Sequence, residues 1–489
     1  MRRFLLSAFG LLLVLLGAMA VRASRLTRDD APVERVRLTV DESAIAQRLA
    51  GALRIATIST ESGVIDTAAF RALHAYLAAQ YPRTHATLTR EVVGGLSLAY
   101  VWRGLDTTKA PIVLMGHLDV VPVIAGTESR WSHPPFGGEI ADGFIWGRGA
   151  MDDKSTVLGV LEGIESLLGS GYTPQRTIVL AFGHDEEVGG RGAGAIVAWY
   201  KAKGWPMPAL VLDEGGAVTQ GQLSGIDEPV ALVGIAEKGF LSLELVSEGE
   251  GGHSSTPSGI SHIGRVSRAV AALEANPFPA RVTGVPEAML RAIAPSMTFG
   301  ERIGIANLWL TEPLVRRALL RIPSSAAMLR TTTAPTIIGA GEKENVLPPK
   351  ARAVVNFRIL PGETEATVIA RVRAVIADSL VQVRAAGSFA SPPSTVSDPE
   401  GPAFGVLATA IRETLGDTPP VVAPYLVVGG TDSRQWSEAG ATQVFRFSPV
   451  PFGDGDNLRF HGTDERVSVA GYARCVVFFR QLIQRVDRL

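Results

Sequence analysis

The chain has 489 residues, enough for two or three domains with sizeable cores. With 46% apolar and 19% charged residues it reads as globular rather than disordered, and a formal net charge of −1 leaves no electrostatic footprint for nucleic acid. Its one cysteine, Cys475, lies in an apolar run and reads as a core residue, which excludes an internal disulfide and a multi-cysteine metal site, so any metal must sit mainly on His, Asp and Glu.

Arg2 and Arg3 precede an apolar run from Phe4 to Val21, the order of a secretory signal. Ala18-Met19-Ala20 and Val21-Arg22-Ala23 offer small-residue cleavage sites, and the run also has the length to span a bilayer if left uncut. Either way residues 1–24 stand apart from the fold, and the rest is expected outside the cytoplasm, secreted, periplasmic or membrane-anchored. A polar stretch to Glu42 leads into a helical pattern over 43–58. Residues 111–121 (PIVLMGHLDVV) read as a buried strand, and 154–168 place Val157, Leu158, Leu161, Ile164 and Leu168 on one helical stripe. Residues 177–182 and 209–212 are further short apolar strands. Apolar runs alternating with amphipathic segments predict an α/β layered sheet. Three of these strands end in His or acidic residues: His117 with Asp119, His184 to Glu187, and Asp213 with Glu214. Ligands of open α/β sheets gather outside such carboxyl ends.

From about Phe240 the pattern changes. Residues 241–247 alternate apolar and polar as a half-exposed strand does, 351–359 and 381–385 look similar, and a helix is predicted over 364–379. This suggests a separate α+β module, after which a Ser/Pro-rich passage over 391–398 returns the chain to α/β character.

His and Asp two apart in His117-Leu118-Asp119 point to one face of a strand, so Asp119 could hold the His117 ring by its second nitrogen. Asp152 and Asp153 follow Gly147-Arg148-Gly149 at a helix start, where acids are ordinary. Asp185-Glu186-Glu187 would usually be a solvated turn; behind a buried strand and before Gly189 and Gly190 it sits at a sheet edge instead. There one Glu could ligate metal while its neighbour works on water.

These segments, with Asp213-Glu214-Gly215 and His461-Gly462-Thr463-Asp464-Glu465, come in an order that resembles the zinc metallopeptidase family of aminoacylases, glutamate carboxypeptidase and succinyl-diaminopimelate desuccinylase. The resemblance runs from about residue 43 to the C-terminus. It implies an α/β catalytic domain with a mixed sheet between helices, formed from 43–236 and 398–489, with an inserted α+β lid over 237–397 that usually makes a homodimer. It implies two Zn2+ per chain, one on His117 and Glu214, the other on Glu187 and His461, with Asp152 bridging; Asp213 remains an alternative to Glu214. Asp119 would orient His117, and Glu186 would be the general base that passes a proton from the attacking water to the leaving amine. His253, in Gly251-Gly252-His253, would stabilise the oxyanion across the dimer; Asn345 and Arg358 match lid positions that contact substrate, and Arg434 resembles the arginine that grips the substrate carboxylate. His74, His85, His133 and His262 match no ligand position and read as structural.

The leader and an extra apolar stretch over about 276–333, with helical segments at 305–310 and 314–320, resemble the carboxypeptidase S and N-fatty-acyl-amino-acid hydrolase branch. That stretch reads either as added lid packing or as an apolar wall for a long acyl group. The implied activity is hydrolysis of a peptide or N-acyl amide bond next to a free carboxylate. A deacetylase or desuccinylase of a small metabolite fits export poorly. A non-catalytic binding protein on the same fold would not need the full ligand set.

Overall fold

The structure is a computed structural model that describes residues 1–489 other than 28–32, 37, 61, 62, 64, 224, 258, 388, 389 and 454. Part of the polar stretch before Glu42 therefore lies outside the described residues. Its centre is a ten-stranded mixed sheet. From one edge the strands are Thr89–Val93, Ser97–Trp102, Ile178–Gly183, Ile112–His117, Leu210–Asp213, Val444–Arg446, Val230–Glu237, Val218–Thr219 and Pro451–Phe452, with Val421–Val427 paired parallel to Val230–Glu237. Ile112–His117 runs parallel to both Ile178–Gly183 and Leu210–Asp213. These strands are buried along their whole length, which is why they read as unbroken apolar runs rather than alternating ones. The sequence pattern did not disclose the antiparallel edge hairpin Thr89–Val93 and Ser97–Trp102, whose turn uses Gly94 and Gly95 at φ 60° and 97°.

Helices cover both faces. Lys154–Gly169 lies against Val469–Arg485 at close range: a Cβ on Gly159 would sit 2.7 Å from Cys475 Sγ, so glycine sets how near the two helices come. Cys475 is fully buried, as its apolar surroundings predict. On the other face Arg191–Ala202 packs Ile196, Val197 and Tyr200 with Trp436 over Val113, Val179 and Val211. The helix expected over 43–58 spans Glu42–Leu53, capped by the Asp41 side chain. It stops there because Thr57 and Ser59 exchange backbone hydrogen bonds with Val120 instead.

A second, wholly antiparallel sheet holds Thr332–Ala340, Lys350–Ile359, Gly239–Glu248 and Gln382–Ala385. Helices His262–Ala275 and Glu365–Ile376 close its inner face around a core of its own, with Leu241, Leu243, Leu273, Phe357 and Val372 among its members. The stretch over 276–333 departs from the reading as added lid packing. Its Val282, Val285, Met289, Leu290, Ile293 and Leu329 join the core of the large sheet, and helix Val285–Ile293 packs on strand Val421–Val427. Past Phe278, which joins the core of the second sheet, its apolar face is matched to the body of the protein.

Candidate functional site

Three parallel strands end side by side, and each hands over to residues that enter one cleft. His117 closes its strand; His184 to Glu187 follow Gly183; Asp213 closes the third and Glu214 follows it. A three-stranded sheet of Glu139–Ala141, Phe144–Trp146 and Arg466–Ser468 delivers the rest, setting the loop through Asp152 beside the loop through His461.

Two groups of ligand atoms result, each within 4.8 Å of one another: His117, Asp152 and Glu214, and Asp152, Glu187 and His461. Asp152 belongs to both. Its Oδ1 lies 2.8 Å from His117 Nε2 and its Oδ2 lies 2.8 Å from His461 Nε2, while Glu187 Oε2 is 3.3 Å from the same His461 nitrogen. Adjacent residues on a strand point opposite ways, and this separates the pair that sequence left open: Glu214 turns into the cleft, whereas Asp213 accepts from Ser433 N at 2.8 Å and holds the loop of Arg434.

Asp119 is the hub behind the groups. Its carboxylate accepts from Ser59 Oγ at 2.5 Å and from the backbone N–H groups of Glu186 and Glu187 at 3.1 and 3.2 Å. Its Oδ1 and its carbonyl oxygen stand 3.3 and 3.0 Å from His117 Nδ1. One buried acid thus fixes a His ring and the two glutamates at once.

Glu465 does the same for the other side, and sequence assigned it no role although it was visible inside the His461 motif. Its Oε1 accepts from the backbone N–H groups of Gly149, Met151 and Asp152 at 3.0, 2.8 and 3.1 Å. Its Oε2 takes Arg148 Nη1 at 2.6 Å, and Arg148 Nη2 donates onward to the carbonyls of His461 and Gly462 at 3.3 and 2.8 Å. Both partners are buried, and His461 itself adopts a left-handed φ of 57°.

So many acids in one buried place perturb each other. Burial pushes Glu186 and Glu214 well above the ordinary carboxylate range, and raises Glu187 against the opposing hydrogen bond from His461. Burial would raise Asp152 as well, but hydrogen bonds from His117 and His461 hold it below its usual value. Burial works against a charged His117, yet its bonds to Asp119 and Asp152 carry its pKa well above normal. A divalent cation answers this arrangement: two His nitrogens and three carboxylates form the donor set that zinc takes, and the buried Oε1 of Glu187 has no hydrogen-bond partner among the described residues.

The other expected site residues fall into two places. Arg434 starts the short helix Arg434–Glu438 and donates to Gly189 O at 2.9 Å. Arg358 lies over the Phe240 ring at 4.8 Å, its pKa lowered by burial and by the charge of Arg434. The two guanidiniums therefore stand within electrostatic reach of one another. His253 and Asn345 share a two-stranded ribbon of Gly252–His253 and Val346–Leu347, where Ser254 N donates to Asn345 O. His253 belongs to neither ligand group; it is exposed and bonds Ser255 Oγ at 2.7 Å. The four histidines read as structural bond elsewhere: His74 to Leu96 O, His85 to Tyr81 O and Tyr100 Oη, His133 to Glu139, and His262 to Ser247.

A profile of peptidase family M20/M25/M40 matches residues 113–485. The chain is 38% identical over 455 residues to probable carboxypeptidase S-like 2 of Dictyostelium discoideum, covering 92% of this chain and 86% of that protein. It is 40% identical over 447 residues to the N-fatty-acyl-amino acid synthase/hydrolase PM20D1 of Xenopus tropicalis, covering 91% of this chain and 86% of that protein. Among solved structures, the M20 family metallo-carboxypeptidase Sso-CP2 of Sulfolobus solfataricus superposes with a TM-score of 0.66 at 18% identity, covering 92% of this chain and all of that one, a likeness of fold.

Proposed function

The chain belongs to peptidase family M20/M25/M40 and is a metal-dependent amide hydrolase, and from that premise we propose that it cleaves the peptide or N-acyl amide bond beside a free carboxylate, with two zinc ions per chain. The observation that carries the reading is the pair of ligand groups sharing Asp152. His117 and Glu214 would hold one ion and Glu187 and His461 the other. The chemistry such ions supply is polarisation of the scissile carbonyl and acidification of water.

The protein's own residues do the rest. Glu186, whose backbone N–H is anchored on Asp119, takes the proton of the attacking water and delivers it to the leaving amine. Asp119 keeps the His117 ring in place. Arg434, with Arg358 near it, pairs with the substrate carboxylate, since a guanidinium fork matches two carboxylate oxygens. Within the segment 237–397, the second sheet and its two helices serve as the lid, while the stretch over 276–333 stays largely with the body; closure of the lid, or pairing with a second copy, brings His253 and Asn345 to the substrate and excludes water. The exposed position of His253 supports delivery by movement or by a partner. The apolar helix Arg2–Ser24 directs the enzyme out of the cytoplasm.

The test is hydrolysis of a panel by zinc-loaded enzyme: Gly-X dipeptides, N-acetyl and long N-acyl amino acids, each with a free and an amidated carboxylate. Cleavage confined to the free-carboxylate members and abolished by a chelator is expected. Equal cleavage of amidated members removes the carboxylate requirement.

A further inference from the structure

The apolar N-terminal helix is docked at its base. Fully buried Asn307 donates to the carbonyls of Met19 and Ile303 at 3.1 and 2.9 Å. Met19 and Ala23 are buried against the hairpin of helices Phe299–Ala306 and Leu308–Leu319, while Phe4, Leu5, Leu6, Phe9 and Leu11 stand exposed. The guanidinium of Arg22 lies over the Trp309 ring at 5.9 Å. Cleavage after Ala20 or Ala23 would uncover Asn307 and the apolar hairpin surface beside it.

The rise from Phe4 to Val21 is about 27 Å at ~1.5 Å per residue, close to the ~30 Å of a hydrocarbon core. Arg2 and Arg3 at its start fit the cytoplasmic side. At its far end Arg22 and Arg25 then fall at headgroup level, and Trp309 beside them stands where membrane interfaces collect indole rings. The helix of Trp309 continues with Leu310 at 47% and Leu314 at 72% exposure, then exposed Arg317, and exposed Arg321 follows just past its end. Positions 310, 314 and 317 are spaced four and three apart, so they line one face of the helix. Phe299 and Ile322, at the two ends of the hairpin, are also exposed. An apolar stripe that passes into cations matches an anionic bilayer surface, with leucines in the acyl boundary and arginines on headgroups.

We propose that the hairpin of Phe299–Ala306 and Leu308–Leu319 is a membrane-docking surface. It seats Trp309, Leu310 and Leu314 in the interface of the anionic leaflet that faces the enzyme, next to the retained N-terminal helix. The proposal rests on export with the leader uncut. Because helix Val285–Ile293 of the same stretch packs on strand Val421–Val427, the surface would fix the orientation of the catalytic body to the bilayer.

Cys475 is fully buried, so a spin label reports a single introduced cysteine. Full-length Leu314→Cys, Leu12→Cys and Leu105→Cys, all at exposed sites, are labelled and reconstituted into vesicles of equal parts phosphatidylcholine and phosphatidylglycerol. The oxygen-to-nickel-chelate accessibility ratio at Leu314→Cys should exceed that at Leu105→Cys several-fold and approach that at Leu12→Cys. A water-like ratio at Leu314→Cys with a lipid-like one at Leu12→Cys overturns the docking surface and leaves the anchor standing. Water-like ratios at both overturn the anchor with it. Exclusion of both relaxants with spin–spin broadening at Leu314→Cys assigns the face to a second copy and overturns the proposal.

Discussion

Glu465 offers a clean separation of a charge pair from a backbone cradle. Its Oε1 serves three backbone N–H groups and its Oε2 serves Arg148 alone. In Glu465→Gln the amide oxygen can keep the three backbone bonds, but the amide nitrogen then faces Arg148 Nη1, donor against donor. Both side chains are within 2% of full burial, so solvent does not screen the loss. Breaking a buried pair from one side costs about 3–5 kcal/mol. Glu465→Ala also strands three buried N–H groups at about 1–3 kcal/mol each, so it should cost at least ~3 kcal/mol more than the Gln variant. Replacing the donor as well, in Arg148→Met/Glu465→Gln, removes the clash, and the double variant should lose less than the sum of its parts. Urea unfolding of the parent, these three variants and Arg148→Met alone gives the energies, and metal content after dialysis reports on the Asp152 and His461 loops that the pair joins. A Glu465→Gln protein within ~1 kcal/mol of the parent would place this pair with exposed ion pairs and refute the reasoning.

Glu186→Gln should keep its metal yet lose about 10²–10⁴-fold in kcat; retained turnover removes Glu186 from the proton transfer. Dialysis against a chelator should abolish hydrolysis and lower the urea midpoint, since free metal at ~100 times its Kd adds about 2.7 kcal/mol to the folded state; an unchanged midpoint would mean that metal is not linked to folding. Arg434→Lys gives up the fork and the bond to Gly189 O, and kcat/KM on free-carboxylate substrates should fall about tenfold or more, at ~1.5–3 kcal/mol per charged hydrogen bond. Preference for the free carboxylate that survives this change would move the grip elsewhere. Gly190 combines φ 63° with a Cβ position that runs into Asp432 Oδ1. Gly190→Ala should therefore cost about 2–5 kcal/mol from left-handed strain and overpacking, read from the urea midpoint, and a neutral result would show that the loop yields.

The candidate ligands were legible because chemistry at strand ends leaves motifs that survive in sequence: His117, Asp152, Glu187, Glu214 and His461 each sit in one, and the structure brings them together. What sequence could not separate were residues whose difference lies in direction. Asp213 and Glu214 are adjacent acids at the end of the same strand, and only the side each faces parts them. Glu465 was in view but silent, because three of its four partners are backbone N–H groups that carry no side-chain signature. In 276–333 the helical segment expected over 314–320 falls within Leu308–Leu319 but for its last residue, while that over 305–310 straddles the break at Asn307, and the surface the helices cover was not legible, since a buried stripe looks the same whichever core receives it. The edge hairpin before residue 103 escaped for the opposite reason: its outer strand, Thr89–Val93, is mostly exposed and too polar to stand out.

The order in which the chain supplies its ligands has a consequence for biogenesis. Four come before the second sheet and His461 only after it. The last donor reaches its place when Val421–Val427 has paired with Val230–Glu237 and Val469–Arg485 has closed on Lys154–Gly169. Such long-range pairings are slow to form because distant segments must first meet. A nascent chain therefore carries an unfinished centre, without the full donor set that amide hydrolysis would use. A complete set of candidate metal donors becomes a marker that synthesis and folding are both complete.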